Sequence, residues 1–307
     1  VAIDHDQTFK TLIAEFFREF MELFLPDEAD SIDFGHVKFL EKELFTDLPS
    51  GRQKRLDLVV EVGLKGGGEE WILVHTEFES RRRPDFPRRM YEYYSQLFLR
   101  HGAPIVPVAL FTDDHKWREP LPSTYTIAVK GRTYVTFEYH QIKLKHLDYR
   151  KFMRSENPLA FALMAKMDYS RKEKVRLKAE FLKLITAAKL KKAQKSLLLE
   201  FVDAYMPLEP AEHIEFVKLV ETQAEYKEVT KMITSFEKRG IEKGIEKGIE
   251  KGLLEGKRDL LLVLLKKRFG PLDLAIEKRI EGITSAIKLD KLFDAACDSQ
   301  AIDSLDI

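Results

Sequence analysis

The sequence predicts an α/β domain followed by an all-helical C-terminal half. Three observations carry that expectation. Arg55-Leu-Asp-Leu-Val-Val-Glu-Val-Gly63 and Trp71-Ile-Leu-Val-His-Thr-Glu-Phe-Glu-Ser80 alternate with period two on either side of Gly66-Gly67-Gly68, the pattern of a β-hairpin. Pro104-Ile-Val-Pro-Val-Ala-Leu-Phe111 is a short continuous apolar run, as a strand covered on both faces requires. From Pro158 to about Arg239 the apolar period is helical throughout.

In chain order, Phe9, Leu12, Ile13, Phe16, Phe17, Phe20, Met21 and Phe24 recur at helical spacing, with Asp6 as the cap and Pro26 as the stop. Val37 to Phe45 reads as a strand with Phe39, Glu41, Glu43 and Phe45 on one side. In the hairpin, Leu56, Leu58, Val60 and Val62 share a face with Ile72, Val74, Thr76 and Phe78. The opposite face carries Arg55, Asp57, Val59, Glu61, Leu73, His75, Glu77 and Glu79. A turn centred near Gly67 sets Asp57 opposite Glu77 and Arg55 opposite Glu79. Pro84-Asp85-Phe86-Pro87 then opens a helix through Met90, Tyr91, Tyr94, Leu97 and Phe98, which Gly102 ends. A helix between the hairpin and the next strand implies a right-handed crossover and a partly parallel sheet. Tyr125–Val129 and Tyr134–Tyr139, joined by Lys130-Gly131, form a second hairpin at the sheet's margin, and the α/β domain closes near residue 145.

The domain map is therefore 1–145 for the α/β domain and 146–239 for a helical region. Residues 240–256 form a Gly-x-x-x repeat spacer, and 257–307 a small helical domain. The first long helical stretch carries Lys172, Lys174, Arg176, Lys178, Lys183, Lys189, Lys191, Lys192 and Lys195. Such a run suits either a phosphate-tracking surface or an ordinary solvated helix. In the repeat, Gly240, Gly244, Gly248, Gly252 and Gly256 each cost roughly 0.8–1 kcal/mol of helix propensity, and each stripe drifts around a helix of 3.6 residues per turn. A homo-oligomer seam and a plain spacer both fit. The last 50 or so residues carry helical patterns broken at Gly270-Pro271, with no visible chemistry.

Composition sets limits. Lys+Arg and Asp+Glu balance at 51 each, so any nucleic-acid contact must use local basic clusters rather than a global field. The single cysteine, Cys297, excludes an internal disulfide and reads as a small helix-packing residue of a reducing compartment. No apolar run approaches the length of a membrane span and no signal-like N-terminus is present, so the expectation is a cytoplasmic protein with no membrane partner. There is no GxGxxG, P-loop, nucleophile elbow or Cys/His metal spacing.

The chemistry on offer is the acidic pair. Directly opposed strand residues have Cβ atoms about 5 Å apart, where two carboxylates at an effective dielectric near 20 repel by about 3 kcal/mol. A divalent cation removes that repulsion, and Mg²⁺ suits it because one or two carboxylates suffice and water and phosphate complete the shell. A solvated polar face, with Arg55 and Arg81-Arg82-Arg83 offsetting the charge, is the alternative. His75 is either a ligand or proton shuttle, or a hydrogen-bonded structural residue.

The acid on one strand, the Glu-x-Glu on the next, and the helix–three strands–helix–strand order resemble the PD-(D/E)XK nuclease superfamily. Arg55-Leu-Asp57-Leu-Val-Val-Glu-Val, Val74-His-Thr-Glu77-Phe-Glu79-Ser and the Arg88-Arg89-Met90-Tyr91 helix before Pro104-Ile-Val-Pro-Val are more specifically similar to the Rpn family of recombination-promoting nucleases, over roughly residues 4–140. The Gly repeat with Leu-Leu-Lys-Lys-Arg-Phe-Gly-Pro resembles a small C-terminal domain of unknown function attached to such proteins. The resemblance implies a PD-(D/E)XK mixed sheet flanked by helices and Mg²⁺- or Mn²⁺-dependent DNA hydrolysis linked to recombination or transposition. Asp57 and Glu77 would be metal ligands and Glu79 a third catalytic position, with Arg81, Arg82 and Arg88 positioning DNA. The superfamily carries Lys, and the Rpn group often Gln, where this chain has Glu79. A catalytically silent DNA-binding or assembly module is therefore the alternative expectation.

Overall fold

The N-terminal aromatic stripe forms two helices, not one. In the computed structural model α1 (His5–Glu15) and α2 (Phe17–Phe24) meet at a break at Phe16, and Asp6 lies inside α1. Pro26, expected as a stop, opens α3 (Pro26–Ser31), because the first helical amides have no intrahelical partner and a missing N–H costs nothing there. The structure describes residues 5–40, 44–45, 54–66, 71–299, 302 and 305, with backbone alone at 6, 44, 45, 54, 55, 71 and 234–251.

The first strand, β1 (Ile32–Phe39), begins five residues before the expected Val37. Leu44 and Phe45 belong instead to β2 (Leu44–Phe45), paired with β3 (Lys54–Arg55), while Glu41 and Glu43 lie outside the described residues. The hairpin strands β4 (Leu58–Leu64) and β5 (Trp71–Glu79) pair antiparallel from Leu58↔Thr76 to Gly63↔Trp71. That register, continued by one residue, sets Asp57 beside Glu77 as the alternation requires. Gly67 and Gly68 lie outside the described residues. Arg55 does not pair with Glu79. The chain bends at Asp57, which turns Arg55 away to pair with Leu44, and Glu79 pairs in register with Phe111 of the next strand.

After the hairpin, α4 (Phe86–His101) ends at Gly102, whose φ of 64° is left-handed and whose N–H donates to Phe98 O at 2.8 Å. The chain returns in β6 (Ile105–Phe111), parallel to β5. The second hairpin, β7 (Thr124–Val129) and β8 (Arg132–Glu138), turns at Lys130 and Gly131 with φ of 48° and 81°. It forms a separate two-stranded sheet and does not extend the main one. The margin is filled by β9 (His140–Lys143), parallel to β6, which gives the order β1-β4-β5-β6-β9. The result is a five-stranded mixed sheet.

Both faces of that sheet are covered. On one, Phe86, Met90, Tyr93 and Leu97 of α4 pack with Val59, Leu73, Ile105, Ala109 and Phe111. On the other, α1 crosses β5 and Phe9 meets Phe78. The hairpin face read as polar is thus the buried face under α4. Tertiary packing overrides the alternation here, because a helix joining two parallel strands must lie across the sheet.

Four further helices, α5 (Pro158–Leu163), α6 (Lys174–Ala187), α7 (Lys192–Tyr205) and α8 (Pro210–Thr222), pack into the same unit, which by its contacts extends over Val1–Thr230. Phe9 stacks edge-on with Phe201, and Asn157 Nδ2 donates to Glu19 O at 2.7 Å. Three cations of the expected basic run are paired with acids: Lys174 with Glu212, Lys178 with Asp203, and Lys183 with Glu180 and Glu225.

The second unit covers Lys231–Ile307. The backbone is helical through the whole Gly repeat, within α9 (Lys227–Phe269), and is followed by α10 (Leu274–Glu281) and α11 (Ala286–Asp298). Leu261, Leu265, Ile280, Leu289, Leu292 and Ala296 form its core. Cys297, expected to pack, is exposed one residue beyond that stripe. Among the described residues no helix is long and apolar enough to cross a membrane.

Candidate active site

The bend before β4 and the C-terminal half of β5 bring Asp57, His75, Glu77 and Glu79 together on the α4 side. Asp57 and Glu77 are linked through backbone amides at or beside one another: Phe78 N–H donates to Asp57 Oδ2 at 2.9 Å, and Asp57 N–H to Glu77 Oε1 at 3.3 Å. His75 Nε2 lies 3.0 Å from the same Glu77 oxygen. The ring of His75 meets Tyr93 of α4 edge-on at 6.0 Å. His75 is 0% exposed, Glu77 2% and Glu79 7%, with Asp57 half-buried. A solvated polar face is therefore not what this chain builds.

Glu79 stands apart from that pair. Its Oε2 accepts from Arg89 Nη1 at 3.0 Å, and its Oε1 lies 3.7 Å from Arg83 Nε. Arg89 also donates from Nε to the Tyr93 hydroxyl at 3.4 Å, with its guanidinium 5.4 Å from the Phe86 ring centre. Burial by itself would lower the Arg89 pKa, but the Tyr93 hydroxyl and the Glu79 carboxylate outweigh it and raise the value above that of an ordinary arginine.

No protein-family model, curated protein or solved structure matches this chain.

The arginines chosen from sequence lie outside this cluster. Arg88 is exposed and bonds Glu92 at 2.9 Å along the outer side of α4, Arg82 Nε donates to Glu119 O at 3.2 Å, and Arg81 is exposed. Arg89 was missed, although its signal was present. It falls on the buried stripe of Phe86, Met90, Tyr93 and Leu97, where an arginine must find a partner.

The donor set suits only certain ions. Asp57 and Glu77 offer hard carboxylate oxygens, and among the described residues no group of three or more His, Cys, Asp or Glu side chains is arranged to hold a metal. Two adjacent carboxylates fit Mg²⁺ or Mn²⁺, which take the remaining ligands from water and a phosphate. They do not fit an ion that needs an all-protein cage.

Proposed function

We propose that this chain is a Mg²⁺- or Mn²⁺-dependent DNA endonuclease of the PD-(D/E)XK type, a hydrolase of phosphodiester bonds, with Asp57 and Glu77 as the ligands of the cation. The observation that carries this reading is the interlocking of those two carboxylates, each accepting the backbone N–H at or beside the other. A five-stranded mixed sheet with a helix across the site is compatible with it. When bound, the divalent ion would lower the pKa of a coordinated water and offset charge on the scissile phosphate. The protein's part is positional. His75 fixes one Glu77 oxygen, Phe78 N–H fixes one Asp57 oxygen, and Tyr93 packs the imidazole into place, so neither acid can rotate away. Arg81, Arg82 and Arg88, exposed on the loop and the outer side of α4, would contact the DNA backbone without reading sequence.

The rival reading is a silent DNA-binding or assembly module. It draws on the Glu79–Arg89 pair, since a carboxylate held by a guanidinium is a poor proton acceptor. Nicking of supercoiled plasmid by the purified full chain in Mg²⁺, absent in EDTA and absent in Glu77→Gln, is the expected result. Nicking that survives in Glu77→Gln, with contaminating nuclease excluded by a second preparation, rejects the metal assignment.

A further inference from the structure

Glu79 gathers two guanidiniums. Arg89 reaches it from α4 and Arg83 from the loop before that helix, so one carboxylate holds two cations and the group keeps one net positive charge. Arg89 is pinned on three sides, by Glu79, by the Tyr93 hydroxyl and by the face of Phe86. Those bonds use Nη1 and Nε, and among the described residues no hydrogen bond uses Nη2. The Arg89 side chain is 18% exposed and that of Arg83 54%, so the fork is rigid yet reachable from solvent. Glu77 and Glu79 are two residues apart on one strand, so their strand positions lie about 6–7 Å apart along the same face.

We propose that Arg83 and Arg89, held on Glu79, form a clamp for a phosphodiester anion, with Glu79 acting as a positioning residue and not as a metal ligand or proton acceptor. This rests on the nuclease reading for its reaction but not for its ligand. A planar guanidinium with one edge fixed presents its other N–H groups to a phosphate oxygen in a set direction, which a lysine ammonium cannot do. Arg83 supplies a second, more mobile contact. The clamp also explains why a carboxylate stands at position 79: a lysine there would repel both arginines.

The test separates the clamp from the cleavage chemistry. Binding of the full chain to a 20-base-pair duplex is measured by anisotropy in EDTA across a salt series, beside plasmid nicking in Mg²⁺. The variants are Arg83→Gln, Glu79→Gln, Glu79→Lys and the neutral pair Glu79→Gln/Arg89→Gln, which leaves no unpaired charge in the buried position. Arg83→Gln and the neutral pair should each lower the slope of log affinity against log salt by about 0.9, the loss of one phosphate contact. Glu79→Gln should keep binding in EDTA, while kcat falls about tenfold at unchanged KM. Glu79→Lys should lose nicking, not gain it. Wild-type slope in both Arg83→Gln and the neutral pair overturns the clamp and leaves the nuclease reading standing. Clamp-dependent binding without any Mg²⁺-dependent nicking does the reverse. A wild-type chain that neither binds nor nicks overturns both.

Discussion

Replacing Glu77 by Gln tests the acidic pair through stability, without relying on catalysis. Glu77 is 2% exposed and accepts from His75 and from Asp57 N–H. The amide oxygen keeps both contacts but weakens each by about 1 kcal/mol, since a charged acceptor becomes neutral. Against that, removing one of two carboxylates about 5 Å apart relieves repulsion of about 3 kcal/mol at an effective dielectric near 20. The variant in EDTA should therefore lie within about 2 kcal/mol of the wild type. The cation changes the balance. A ligand that binds only the folded state at a hundred times its dissociation constant adds about 2.7 kcal/mol. For a unit the size of Val1–Thr230, that raises Tm by roughly 5–10 °C. Differential scanning calorimetry of wild type and Glu77→Gln, each with Mg²⁺ and with EDTA, should show the rise in the wild type alone. An equal rise in both, or none in the wild type, refutes Asp57 and Glu77 as the cation's ligands.

Three further outcomes follow from particular residues. Gly102→Ala should destabilise the first unit by about 1–2 kcal/mol through its φ of 64°, since an added Cβ meets no neighbour, and urea denaturation reads this directly. Gly252→Ala/Gly256→Ala should stabilise the C-terminal unit by roughly 0.8–1 kcal/mol per site, because both positions are helical and open onto space; a fall in mass by analytical ultracentrifugation in the same variant would identify the repeat as a homo-oligomer seam. Burial pushes the Tyr139 hydroxyl up to about 12, while the unfolded chain titrates near 10. The folded state alone keeps that proton between those values, so its contribution is complete below about pH 10 and is lost as pH rises toward 12. Tyr139→Phe should lose about 1 kcal/mol at neutral pH with the bond to Pro122 O and show a shallower alkaline fall than wild type.

Much of the site was readable locally. Period-two alternation and a glycine turn placed Asp57 beside Glu77, because hairpin register follows from the turn and from side chains that repeat every two residues. The apolar run from Pro104 to Phe111 announced a strand covered on both faces, found at Ile105–Phe111, and helical spacing announced the later helices. Local pattern could not say what covered the other hairpin face. Burial of His75, Glu77 and Glu79 depends on α4 crossing the sheet and on β6 and β9 joining in parallel, contacts between residues distant in sequence. The same holds for the two arginines at 88 and 89. Neighbouring helical residues point about 100° apart, so the sequence sets Arg89 on the stripe of Phe86, Met90, Tyr93 and Leu97 and Arg88 off it, and only the docking of that stripe on the sheet makes Glu79 the partner of Arg89. Arg55 was misplaced for a related reason. Alternation assumes a straight strand, and the bend at Asp57 that turns its carboxylate to Phe78 N–H also removes Arg55 from the sheet.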